Sequence, residues 1–290
     1  MNKRSFIQQI FISPDEPRLR AGWRLLLHLL LIIIVGVLFS LIYRLLPISL
    51  GGGMLTGQLE EVFILTLATY LARRWLDKRS FVSLGFKIDK KMWLDLLAGI
   101  AITFILMGFI YLVEYALGWL TFEGFAWDTE PVSRVTLNLL GVFGLFLLVG
   151  WKEELISRGY QLQNLADGLN LTWGVILSSA VFGLLHLSNP NATWLSAAGI
   201  FFAGIFLAYA YVRTGQLWLS IGLHLGWNFF EGAVFGFPVS GLDIYPLTHI
   251  SVTGPELWTG GAFGPEAGLI VLPALALGMV LVYSYSQMVK

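Results

Sequence analysis

Two adjacent glutamates, Glu153 and Glu154, two histidines, His186 and His224, and an asparagine, Asn228, lie inside stretches of sequence that are otherwise apolar. Where such a stretch is surrounded by lipid, an ionisable side chain in it costs a few kcal/mol, so each one calls for a reason. A carboxylate shielded from water can serve as a base near neutral pH. Imidazole and carboxamide N–H groups one helical turn apart can donate to an oxygen that is gaining charge. A carboxylate with two imidazoles can equally hold a divalent cation such as zinc, with one position left for water. Glu153, His186 and His224 serve the carboxylate-activated and the metal-activated route alike, and their types do not choose between them.

The spacings add direction. His224 and Asn228 stand four apart and share one helical face, which Glu231 continues, and Phe182 and His186 share a face in the same way. Glu154 and Arg158 are also four apart, in the favourable order for an ion pair, while Glu153 points about 100° away from Glu154. Arginine can therefore hold one glutamate while the other faces the interior. A turn at Gly168-Leu169-Asn170 lies midway between positions 153 and 186, so an antiparallel hairpin sets Glu153 and His186 level. The stretch from Arg158 to Asn170 is too polar for lipid, which predicts a helix that runs past the membrane and an interface near Arg158. Glu153 would then lie ~7 Å and His224 roughly 10 Å beneath the cytoplasmic surface. The competing reading is a hydrogen-bond network that only locks helices together. Other ionisable groups have simpler expectations: Glu60, Glu61 and Glu114 at interfacial helix ends, His28 as a structural histidine, and His249 in a loop without a catalytic part.

The elements that must position these side chains follow from composition. Of 290 residues, 57% are hydrophobic and 12% charged, about half the charge of a soluble domain. The apolar residues come in blocks near the ~20 residues that cross a ~30 Å hydrocarbon core, too long and uniform for barrel strands. The expected fold is all-α, a polytopic transmembrane bundle of about eight spans, at 25–46, 54–76, 92–119, 135–157, 172–188, 193–212, 217–236 and 267–286. This divides the chain into a cytoplasmic segment 1–24, a three-span region 25–134, a core 135–236 with the candidate residues, an outer loop 237–266, and a last span with a cytoplasmic tail, 267–290. Residues 1–24 contain Lys3, Arg4, Asp15, Glu16, Arg18 and Arg20 without a short apolar run and cleavage site, so the first span is expected to be an anchor. Threading from an inside N-terminus puts 16 basic residues on one side and only Arg44 and Arg134 on the other, which predicts both termini cytoplasmic. The loop 237–266, rich in proline and glycine yet apolar, is expected to lie against the outer mouth of the bundle. Zero cysteines exclude a disulfide framework, a thiol nucleophile and thiolate metal sites. The formal net charge of zero gives no reason to expect nucleic acid.

Glu153-Glu154-x-x-x-Arg158, then Phe182-x-x-x-His186, then His224-x-x-x-Asn228, in this order on separate apolar segments, resembles the three motifs of the CPBP family. That family comprises the type II CAAX prenyl endoproteases and the bacteriocin-processing, Abi-like proteins. The stretch Asp77-Lys-Arg-Ser-Phe-Val-Ser-Leu-Gly85 also looks like bacterial members. The resemblance implies an intramembrane endopeptidase in a prokaryotic plasma membrane, acting on a membrane-associated or lipid-anchored peptide. It implies Glu153 as general base with His186 holding the water, and His224 and Asn228 stabilising the oxyanion, or His224 helping to hold a metal. Glu154 and Arg158 would support them. There is no His-Glu-x-x-His helix and no Gly-x-Ser-x-Gly elbow, and Ser157 and Ser188 lack an obvious base, so the usual zinc-protease and serine routes lose support. Two other functions fit the composition: a non-catalytic scaffold or bacteriocin-immunity-type protein, and a transporter. The transporter fits less well because the polar residues cluster at one depth instead of lining a path.

Overall fold

A computed structural model describes residues 5–14, 16–45 and 53–289. Lys3, Arg4, Asp15 and Lys290 lie outside the described residues. After a short helix α1 (Phe6–Phe11), a helix occurs at each of the eight expected positions. They are α2 (Ala21–Leu45), α3 (Met54–Trp75), α4 (Lys90–Ala116), α5 (Val132–Glu154), α7 (Leu171–Leu185), α8 (Trp194–Thr214), α9 (Trp218–Asn228) and α11 (Val271–Met288). Helix α5 runs on through a π-helical segment, Leu155–Leu162, into α6 (Gln163–Gly168), so the expected extension beyond the membrane is continuous with it. Asn170 then caps α7, accepting from the Trp173 N–H at 3.0 Å, and this reverses the chain.

Six of these helices are long and apolar enough to cross a bilayer, and the described chain is a helical membrane bundle. The two that fall short differ in kind: α3 carries Glu60, Glu61, Arg73 and Arg74, whereas α9 is short and buried along its whole length. Large apolar side chains such as Leu26, Ile33, Leu41, Leu97 and Phe104 are exposed on the outside, as a lipid-facing surface requires.

Helix α9 is the axis of the bundle. It packs most extensively on α4, and glycines make the approach possible: a Cβ on Gly222 would fall 2.4 Å from the Leu96 carbonyl oxygen, and one on Gly99 2.5 Å from the Leu223 nitrogen. The main core is formed there by Leu106, Met107, Phe206, Leu223 and Leu275 from α4, α8, α9 and α11. At the other end of α3, Asp77 is buried between two guanidiniums, Arg24 at 3.1 Å and Arg73 at 2.7 Å.

Several expectations are refined by the structure. Arg158, expected near the interface, is 1% exposed and ion-paired within the bundle. Glu114, near the end of α4 as expected, is buried against protein, and Glu61 pairs with Lys152. The loop 237–266 is not merely laid on the mouth. It contributes strand β2 (Thr248–Val252), antiparallel to β1 (Leu120–Phe125), and a short helix α10 (Glu256–Thr259), and parts of it enter the bundle. Helix α11 starts at Val271, four residues later than expected, because Pro265–Ala267 forms a separate 3-10 turn. His28 bonds Thr69 Oγ1 at 3.0 Å, a structural role as expected.

Candidate active site

Glu153 and Glu154 close the α-helical part of α5, and their side chains leave it in different directions. Glu154 is fully buried. Its Oε1 accepts from Arg158 Nη1 at 2.8 Å and from His224 Nδ1 at 2.8 Å, so the expected ion pair also orients a histidine. Arg158 continues to the Gly204 carbonyl on α8 at 3.1 Å, and its guanidinium lies 4.2 Å over the ring of Phe182. Phe182 in turn meets the rings of His186 at 4.8 Å and His224 at 6.0 Å. One arginine, one glutamate and one phenylalanine thus tie together α5, α7, α8 and α9.

His186 ends α7. Because a carbonyl can only accept, its Nδ1–H donates to the Phe182 oxygen at 2.8 Å, and this leaves Nε2 directed away from its own helix. His224, with Nδ1 held by Glu154, also presents Nε2. Both atoms face the same carboxylate oxygen: Glu153 Oε2 is 4.0 Å from His186 Nε2 and 3.8 Å from His224 Nε2. Unlike Glu154, the Glu153 side chain is partly exposed, at 27%, and opens into a cavity of about 500 Å³. Asn228, one turn beyond His224, lines the same cavity. The structure therefore brings together Glu153, His186, His224 and Asn228, with Glu154 and Arg158 behind them.

Ligand atoms ~2.0–2.2 Å from a tetrahedral zinc stand roughly 3.3–3.5 Å apart. The gaps at Glu153 are wider, and among the described residues no three His, Asp or Glu side chains form a group ready to hold a cation. The donor types suit a metal, and the gaps lie between those around a tetrahedral zinc and the roughly 4.5 Å that one water spans between two hydrogen-bond partners.

Among the cavity residues that the sequence did not single out are Ser240 and Glu266. Both sit in the loop between α9 and α11, far from the motifs and among prolines and glycines, where no periodicity signals which side chain points inward.

Residues 135–230, about a third of the chain, match the Rce1-like family, described as type II CAAX prenyl endopeptidase Rce1-like. The matched segment runs from α5 to the π-helical turn after Asn228 and contains all three motifs. No match was found among curated proteins. The match falls on the residues that the fold gathers around one cavity, and it supports membership of the CPBP family.

Proposed function

We propose that the protein is an intramembrane endopeptidase that hydrolyses a peptide bond of a lipid-anchored or membrane-spanning substrate, with Glu153 activating the water. One observation carries this reading: a single buried oxygen, Oε2 of the otherwise partly exposed Glu153 side chain, has no hydrogen-bond partner among the described residues and faces two imidazole Nε2 atoms at 3.8 and 4.0 Å. A water seated between Glu153 and His186 would give a proton to the carboxylate as it attacks. The oxyanion so formed needs donors, and Asn228 Nδ2 and a protonated His224 Nε2 lie along one face to supply them. In that role His224 is an imidazolium, with its Nδ1–H already held by Glu154. Arg158 keeps Glu154 in place, which leaves Glu153 as the carboxylate free to react.

The cavity supports the substrate class. Beyond the polar cluster its walls are aliphatic and aromatic, among them Leu29, Ile32, Leu145 and Val149, and its volume suits a peptide carrying an apolar group. A zinc ion could use Glu153, His186 and His224, and chelation separates the two routes. Detergent-purified protein should cleave a farnesylated CAAX peptide faster than its unlipidated twin, with product masses that place a single cut, and turnover should survive a strong chelator. Loss of turnover on chelation, restored by a divalent cation, would transfer the three side chains to a metal. Failure to cleave any lipidated or spanning peptide would favour the non-catalytic scaffold.

A further inference from the structure

We infer that Glu266 is a second catalytic carboxyl, the proton donor to the leaving amide nitrogen; this rests on the endopeptidase reading above. Glu266 lies beyond residue 230, where the family match ends, in the 3-10 turn before α11. It is buried at 4% exposure, yet it lines the same cavity as Glu153, His186 and His224. Ser240 donates to its Oε2 at 2.5 Å, and Ser240 is itself anchored through its carbonyl by Asn189 Nδ2 at 3.0 Å.

The backbone placement is enforced. A Cβ on Gly199 of α8 would fall 1.8 Å from the Glu266 carbonyl oxygen, so only glycine lets this turn sink against the helix. The loop is thereby fastened where it can present an acid to the reacting groups.

A second carboxyl stands behind it. Glu231 is fully buried, its polar neighbour is the indole of Trp227, no cationic side chain pairs with it among the described residues, and it lies close enough to Glu266 for their charges to interact. The other titratable groups that bear on Glu266 are the imidazoles of His186 and His224, and no lysine or arginine side chain pairs with it among the described residues. Two neighbouring carboxyls in a dry site without a cation cannot both ionise, so the pair retains a proton. A purely structural tie would need neither a second buried carboxyl without a cation beside it nor Glu266 facing the cavity.

The step balances. The attacking water gives one proton to Glu153 as its oxygen bonds to the carbonyl carbon. The C–N bond then breaks with its electron pair going to nitrogen, which takes the proton of Glu266. The proton held by Glu153 passes through the cavity to Glu266, and one water is consumed per bond cut.

The test compares Glu266→Gln, Glu231→Gln and Glu153→Gln with the unaltered protein, using a farnesylated CAAX reporter peptide and its analogue with an ester at the scissile bond. Glu266→Gln should lower kcat for the amide ~100-fold, with KM and Tm near their original values and the alkaline limb of the pH–rate profile lost. It should cleave the ester nearly as fast as the unaltered protein, because an alkoxide leaves with little help from an acid. Glu231→Gln removes the neighbouring charge that holds the proton on Glu266, so the alkaline limb should move to lower pH. An unchanged kcat and pH profile for Glu266→Gln would overturn the inference, as would equal losses on amide and ester that follow a loss of folded protein. If Glu153→Gln is inactive in the same series, only the role of Glu266 has failed. If Glu153→Gln is fully active, the endopeptidase reading falls with it.

Discussion

Adjacent carboxylates invite a single shared role, but Glu153 and Glu154 differ in what surrounds them. Glu154 has no exposed surface and holds both Arg158 and His224, whereas Glu153 opens to the cavity. Replacing Glu154 with Gln should therefore lower Tm and activity together, because it weakens the grip on a buried guanidinium and frees the ring of His224. A second change, Arg158→Gln, should recover part of the Tm, since stranding one member of a buried pair costs more than removing both. If the double variant melts below the single one, the pair is not what holds this corner of the bundle. The four-residue spacing made the Glu154–Arg158 contact legible in the sequence. The bond from Glu154 to His224 was not, because it joins residues 70 apart whose meeting depends on how α5 and α9 cross. The same limit hid Glu266, which no short motif contains.

At the scale of elements, hydropathy alone located the helices, because a bilayer permits few ways to satisfy a backbone in an apolar stretch. It could not locate the two-stranded sheet, whose pairing links residues 120–125 to 248–252, far apart in the chain. Nor did it show the π-helical turns that follow Glu154 and Asn228 directly. Such turns, in which one residue too many is accommodated, recur at functional sites, and here they begin where the candidate catalytic residues end. The position of α9 depends on its glycine contacts with α4. Gly222→Ala puts a methyl into the Leu96 carbonyl, so α9 must move away and take His224 with it. The expected cost is about 1–3 kcal/mol, seen as a lower Tm, with a larger fractional loss of kcat than other variants of equal Tm. Unchanged melting would mean that α4 and α9 are less tightly apposed than described.

For the molecule as a whole, the basic residues decide orientation. Arg24, Arg73, Lys152 and Arg158, which the sequence count assigned to the inner side, are buried in the bundle and no longer inform it. Lys78, Lys87 and the other exposed cations of that set keep the expectation that this side is cytoplasmic. Single cysteines at Ser80 and Ser251, introduced into a chain that has none, should react on opposite sides with an impermeant reagent in intact cells. Labelling of both from outside would sink the topology. The buried ions also fasten one end of the bundle, where Asp77 joins Arg24 of α2 to Arg73 of α3. Asp77→Asn would leave two guanidiniums short of charge and should destabilise the fold by about 3–5 kcal/mol, measured by thermal unfolding in detergent, without altering where a substrate is cut. A shifted cleavage position would instead tie this cluster to substrate binding.

The central claim is that Glu153 activates the attacking water, and the most direct measurement is the turnover of Glu153→Gln on a farnesylated CAAX peptide, with Tm recorded in the same detergent. The substitution keeps the shape of the side chain and removes the base. The account predicts a loss of ~100-fold or more in kcat with Tm nearly unchanged. Normal turnover by Glu153→Gln would contradict it.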